Sequence, residues 1–197
     1  VSQPQFTADA FVQAQKSVVS LSTTTASSTP KVANRMLYDN LFVTNPGIGW
    51  TLGNAADIEQ FNLEEVKAFY GKLYNPSNLV LTISGNLPID EVMTLVKTCF
   101  GGKWGEAGWQ PPEFELELGK TGRTVRQKTG KTQSYIIVAN TCEVDEKDQA
   151  ALHILSNIFS DRLAFNLREK QGLAYSIGTH FPKYKDAHWY RVTMGTR

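Results

Sequence analysis

Leu167-Arg168-Glu169-Lys170-Gln171-Gly172-Leu173-Ala174-Tyr175 is the stretch whose reading decides the fold. It reads as a helix end, a glycine stop and a strand start. Before it, between Ala150 and Leu167, apolar residues fall at 151, 154, 155, 158 and 159, the helical period. Arg168 and Lys170 belong to the last turn, where cations suit the negative end of the helix dipole. Gly172 supplies the left-handed residue that ends a helix without steric cost. The chain then turns into Leu173-Ala174-Tyr175-Ser176-Ile177. A guanidinium and a phenol thus come to one helix–strand corner, and both are donors suited to a carbonyl oxygen or an oxyanion. The plainer explanation of the same residues is a basic helix end followed by a core aromatic.

The surrounding chain separates into segments. Phe6 to Leu21 reads as a helix capped by Thr7. Ser20 to Thr29 is rich in Ser and Thr, as in a loop or a frayed helix end. Thr29-Pro30 starts a helix to about Phe42, with Val32, Met36, Leu37 and Leu41 on one face. Asn45 to Gly49 is a loop. Asn62 with Glu65 predicts a capping box, here with Asn in the cap position. The nearly continuous apolar run of Asn78 to Ser84 predicts a strand buried on both faces. Pro88 to Cys99 is a further helix, stopped by Gly101-Gly102.

Residues 104–112, rich in Gly, Trp and Pro, read as a linker, with Trp104 and Trp109 pinning it to a surface. Beyond it, strands are expected at Glu113–Leu118, Thr124–Lys128 and Ser134–Asn140. A helix pair follows, Glu146–Ser160 capped by Asp145 and then Arg162–Gln171. Strands at Ala174–Phe181 and His188–Met194 close the chain around a turn at Lys183-Tyr184-Lys185-Asp186. The class is α+β. The expected division is 1–103, a linker at 104–112, and 113–197.

Composition narrows the function. Of 197 residues 41% are hydrophobic, enough for a buried core, while Lys+Arg 20 against Asp+Glu 19 gives a net charge of +1. That balance argues against nucleic acid or a membrane surface as the main partner. No apolar run has the length of a transmembrane helix, and Val1-Ser2-Gln3-Pro4 does not open a signal peptide. The missing start Met suggests a processed or excised chain. Cys99 and Cys142 are the two cysteines. Their separation has no metal-ligand spacing, and Cys99, within an apolar helical run, is expected to be a buried thiol.

The run Asp161-Arg162-Leu163 … Leu167 to Ser176 resembles the pitrilysin/insulinase family of zinc metallopeptidases, whose zinc motif is an inverted His-x-x-Glu-His. A second stretch agrees: Phe61 to Tyr70, then Leu73-Tyr74-Asn75-Pro76 and the run from Ser77 to Asn86. The two occur in the family's order, and the resemblance covers the chain from about residue 30 onward. It implies parts of two repeated α/β sandwich domains, residues 1–103 ending one and 113–197 beginning the next. The sequence is then expected to be an internal fragment with pieces missing at both ends.

A catalytic zinc site needs three protein ligands and an open position. The family's site takes two His and a general-base Glu from one helix and a further Glu from a later one. Here His153, His180 and His188 lack that spacing. The downstream Glu should fall near Ser20, yet Glu59 is the first Glu in the chain. The resemblance therefore implies the non-catalytic half, with no zinc in this chain and zinc in a partner catalytic half. Arg168 and Tyr175 resemble a pair that such halves extend toward the substrate carbonyl or oxyanion. The expected partners are a zinc-bearing half or subunit and a peptide substrate, without nucleic acid or membrane insertion. Alone, the chain should neither bind catalytic zinc nor hydrolyse peptides. The alternative is a catalytically silent scaffold of the same fold. The compartment is not legible, with the bacterial periplasm as the first expectation.

Other candidates have plainer readings. His180 and His188 are expected to face each other across the terminal hairpin, with Asp186 in its turn but no third ligand evident. His153 reads as a boundary residue on the flank of its helix. Asp57, Glu59, Glu64 and Glu65 surround a helix start, where carboxylates serve the dipole. Gly101-Gly102 follows a helix and so does not cradle phosphate. No partner base accompanies the hydroxyls of 20–29.

Overall fold

The computed structural model describes residues 4–44, 46–75, 78–101, 117–119 and 122–196. Contacts gather into two compact units, one of Val1–Val19 and Ala55–Glu113, the other of Ser20–Asn54 and Phe114–Arg197. The expected linker 104–112 and its two tryptophans lie outside the described residues.

In the first unit, helix α1 (Ala8–Ala26) begins where expected, with the Ala10 N–H donating to Thr7 Oγ1 at 3.2 Å. The Gln15 side-chain amide donates to the Ile58 and Phe61 carbonyls at 2.9 and 3.0 Å. It thereby adds an acceptor bond at the end of α3 (Ala55–Gln60), where the Ile58 carbonyl also accepts from Phe61 N–H, and one just beyond it at Phe61. The predicted capping box opens α4 (Leu63–Leu73): Glu65 N donates to Asn62 Oδ1 at 3.0 Å, and Asn62 N to Glu65 Oε2 at 2.9 Å. Helix α5 (Ile89–Phe100) also lies where its period placed it.

Two expectations in this unit fail. Asn78–Ser84 joins no ladder among the described residues, and Val80 is 91% exposed. An apolar run shows that a strand would suit burial but says nothing of whether a neighbouring strand is present to pair with it. Cys99 is exposed, because α5 has no buried residue.

The second unit holds an antiparallel sheet of β1 (Ser134–Cys142), β2 (Ser176–His180), β3 (Lys183–Tyr184) and β4 (Ala187–Thr196). Strand β4 is central: β1 and β2 flank it, and β3 pairs with its start. Val192 lies opposite Val138 on one side and Thr179 on the other. The hairpin between β3 and β4 is tight, since Tyr184 pairs with Ala187 and Lys185 takes φ 50°. Thr124–Lys128, expected as a strand, forms no ladder among the described residues. Of Glu113–Leu118, only 117–118 are described, and Leu118 makes an isolated bridge with Phe42.

The last turns of α1 correct the reading of 20–29 as a loop or a frayed end, for the helix continues to Ala26. Ser22 is buried and its hydroxyl donates to the Gly53 carbonyl at 2.8 Å, an acceptor shared with Trp50 Nε1 at 2.8 Å. These tertiary bonds override the weak helix propensity of Ser and Thr. Helix α2 (Thr29–Leu41) carries Pro30 in its first turn, but the cap is Ser28 rather than Thr29.

Helix α2 packs on one face of the sheet through aromatic side chains. Phe42 is fully buried and Trp189 nearly so, with ring centroids 5.4 Å apart at 82°. Tyr38 meets Trp189 edge-on at 5.8 Å, and Tyr184 lies 6.3 Å from Phe42. On the other face, α6 (Gln149–Leu163) is fastened to β2 by hydroxyls. Ser156 Oγ donates to the Thr179 carbonyl at 2.7 Å, Thr179 Oγ1 to the Ser156 carbonyl at 2.6 Å, and Thr179 N to Ser160 Oγ at 2.9 Å. The expected helix pair is one continuous helix, which passes at Ala164 into π-helical turns reaching Lys170. Asp161-Arg162 contains neither Gly nor Pro, so nothing local breaks it. Asp145 starts the preceding 3-10 turn without a side-chain cap, its carboxylate lying 3.1 Å from Lys147 Nζ.

Phe42→Ala is expected to remove about 3–5 kcal/mol of stability, the usual cost of emptying a buried aromatic site. Urea unfolding followed by tryptophan fluorescence checks it; a loss under about 1 kcal/mol would show that the cluster is not the anchor of this unit.

Candidate functional site

The helix–strand corner forms as the sequence predicts, with one local departure. The last turns, Ala164–Lys170, are π-helical, a rare geometry that recurs at functional sites. Gly172 takes φ 63°. Its N–H donates to the Arg168 carbonyl at 3.1 Å, and Leu173 N–H to the Leu167 carbonyl at 2.8 Å, so the helix end is closed by backbone bonds. Arg168 is therefore the residue whose carbonyl receives the stop.

The Arg168 guanidinium faces solvent, its side chain 56% exposed, with Nε 3.4 Å from Glu169 Oε1. An exposed pair of neighbours holds a side chain weakly. Arg168 is thus available to another acceptor at little cost.

Tyr175 is held more firmly. Its N–H donates to the Gly195 carbonyl at 3.0 Å, extending β2 by one residue along β4. Its ring lies directly over Gly195, where an added Cβ would collide with Cζ and the hydroxyl oxygen. Gly195 thus leaves room for the phenol where a side chain would displace it, and no positive φ is involved. Tyr175 remains 48% exposed. No hydrogen bond joins Arg168 to Tyr175 among the described residues; the structure gives each its own support at the two sides of Gly172.

The Tyr175 ring lines an open cavity of about 230 Å³. The start of α2 contributes Ser27 and Thr29 to the wall, and the approach to β1 contributes Lys131, Thr132 and Gln133. Nothing in a linear reading joins these three segments.

The other histidines fall apart as a site. His180 is in register with Arg191 and His188 with Lys183 and Cys142. Since neighbouring residues of β4 alternate faces, Arg191 and His188 point to opposite sides of the sheet. His180 and His188 therefore do not face each other across the hairpin, contrary to the sequence expectation. His188 Nε2 is buried without a hydrogen-bond partner among the described residues. His153 is exposed on α6. Among the described residues no three His, Cys, Asp or Glu side chains gather closely enough to hold a metal ion. The described donors therefore do not assemble the three ligands that a zinc site takes. Partial burial raises the Cys142 thiol above its ordinary value, against a smaller lowering by a backbone hydrogen bond with Tyr190, so it stays protonated near neutrality. No described helix is long and apolar enough to cross a membrane.

The second unit is thus a helix-backed antiparallel sheet that carries a basic helix end and a supported phenol. Residues 60–197 match the family described as the peptidase M16 inactive domain, and the chain belongs to that family. It is 22% identical over 203 residues to the non-peptidase homolog YmxG of Helicobacter pylori, covering all of this chain and 46% of that protein. It is 26% identical over 160 residues to an uncharacterized zinc protease, YmxG of Bacillus subtilis, covering 77% of this chain and 38% of that one. A crystal structure of a protease from Helicobacter pylori superposes with a TM-score of 0.82 at 21% identity, covering 97% of this chain and 48% of that one; that likeness is one of fold. The chain thus spans less than half the length of these relatives.

Sequence reading reached Arg168 and Tyr175 but missed what supports them. The Ser156/Ser160 pair, four residues apart on an apolar helix, was the available signal for the bond to Thr179. Gly195 and the cavity wall left no such signal.

Two outcomes follow for the site. Gly195→Ala should displace the Tyr175 ring, which can swing out because it is half exposed, at a stability cost of about 1–3 kcal/mol. Shifted Tyr175 ring resonances in NMR with the remaining spectrum preserved are expected; unshifted ones would contradict the contact. Burial, and then the charge of Arg191, hold His180 below its ordinary imidazole value. The unfolded chain then binds the extra proton more readily. This contribution to stability is present above about pH 6.5 and is lost as the pH falls toward the folded value. Unfolding midpoints measured across this range should fall with acid, and less so in His180→Gln.

Proposed function

We propose that this chain is part of the non-catalytic half or subunit of a zinc metallopeptidase and contributes Arg168 and Tyr175 to substrate binding. The observation that carries the reading is the supported, half-exposed phenol of Tyr175 beside a helix end that presents a solvent-facing Arg168. In the assembled enzyme a zinc-bearing partner half holds the reacting bond. Tyr175 donates its phenolic proton, and Arg168 its planar fork of N–H groups, to the substrate carbonyl and to the oxyanion that grows from it. The backbone bond of Tyr175 and its seat over Gly195 limit the reorganisation needed as charge develops. Lys at 168 would supply the charge without the fork. The expected division at 104–112 separates two repeats of the half in this proposal, and the partners are the zinc-bearing half and a peptide.

A second reading, a catalytically silent relative that keeps the fold as scaffold, is favoured by one finding, the name non-peptidase homolog borne by the Helicobacter pylori relative.

Peptide hydrolysis by the full-length protein, alone and with a zinc-bearing partner half, separates the two. Activity confined to the mixture, reduced about a hundredfold to a thousandfold in Tyr175→Phe and in Arg168→Ala, is the expected result. A stable complex without hydrolysis would establish the scaffold, and unchanged turnover in Tyr175→Phe would remove that residue from the mechanism.

A further inference from the structure

The cavity beside Tyr175 has a one-signed character. Among the described residues that line it, Lys131 is the one charged side chain, and no carboxylate is present. Lys131 makes no ion pair among the described residues, whose ion pairs involve other cations. The remaining polar groups are uncharged. The Ser27 hydroxyl is committed as a donor to the Thr24 carbonyl at 2.8 Å, and Thr29 Oγ1 lies 3.4 Å from Thr129 Oγ1. Lys131, Thr132, Gln133 and Tyr175 keep side-chain donors without a hydrogen-bond acceptor in the described chain. The unpaired Lys131 cation, with the free donors of Thr132 and Gln133 around the same opening, calls for an acceptor-rich, negatively charged group.

Size limits what that group belongs to. About 230 Å³ is below the roughly 300–1,000 Å³ of pockets that enclose whole small molecules. It suits one side chain or one chain end.

We propose that this cavity receives a carboxylate of the bound peptide, an acidic side chain or a free C-terminus, next to the carbonyl held by Tyr175, with Lys131 as the residue that sets this preference. The proposal rests on Tyr175 being a substrate-binding residue. Tyr175 then has two faces in use, its hydroxyl toward the peptide backbone and its ring as one wall of the cavity. Lys131 is exposed, so its attraction works through solvent and is modest, about fivefold in affinity, and weakens as salt rises.

The test is calorimetric binding of short peptides to the full chain, with two matched comparisons. One pair differs only by Glu against Gln, and the other by a free against an amidated C-terminus. The expected result is tighter binding of the acid member of at least one pair by about fivefold. That advantage should vanish in Lys131→Gln and reverse in Lys131→Glu; which pair responds identifies the source of the carboxylate. Equal affinity within both pairs, including no measurable binding of any peptide, overturns the proposal, as does an advantage that survives Lys131→Gln. Turnover of Tyr175→Phe in the assembled enzyme is measured alongside. A Lys131-dependent acid preference with unchanged turnover upholds the cavity and removes Tyr175 from the chemistry. Lowered turnover without any acid preference removes the cavity alone.

Discussion

The contact of Phe42 with Trp189 is the constraint on which the second unit depends. Phe42 follows the last residue of α2, and Trp189 is the third residue of the central strand β4. Their rings meet edge to face, an arrangement in which the positive rim of one ring faces the negative surface of the other. Around Phe42 the backbone also bonds to a distant segment, with Val43 N–H donating to the Glu117 carbonyl at 2.9 Å and Gly119 N–H to the Leu41 carbonyl at 2.7 Å. One buried side chain and two backbone bonds thus tie a helix end, a strand and a connecting segment at a single place. Further along the same face, Arg191 Nη1 donates to Asn34 Oδ1 at 3.0 Å and fixes the rotation of α2 against the sheet.

The candidate site inherits its geometry from this arrangement. Strand β4 is paired on both edges, so its residues are located by two ladders rather than one. Gly195, at its far end, is opposite Tyr135 on β1 and Ser176 on β2. The seat of the Tyr175 ring is therefore set by the sheet, whereas Arg168 is set by the helix. The hydroxyl bonds among Ser156, Ser160 and Thr179 join that helix to β2, and through it the two donors share one frame. Such bonds are directional, so they fix the register of a helix on a strand more sharply than apolar packing does.

Local signals were read well where the physics is local. The Asn62/Glu65 box, the Gly172 stop and the tight hairpin at Lys185 each depend on a few neighbouring residues, and each forms. Reading failed where a partner far along the chain decides. Residues 78–84 have the composition of a buried strand but no ladder among the described residues. Ser20 to Ala26 has the composition of a loop but is helical, because Ser22 finds the Gly53 carbonyl thirty-one residues away. His180 and His188 read as neighbours across a turn, yet the register sets His180 opposite Arg191, three residues from His188 on β4, and so on the other face.

By itself the sequence determined the class of secondary structure, the helix–stop–strand corner and the absence of a zinc-binding motif at the spacings the metal requires, all of which are matters of residue type and short spacing. Only the tertiary structure decided that Tyr175 lies over Gly195, that the helix before it ends in π-helical turns, and that Lys131, Thr29 and Tyr175 surround one cavity. The reason is physical: spacing along the chain fixes backbone conformation and face, whereas which faces meet depends on burial and hydrogen bonds between segments that the chain order leaves far apart.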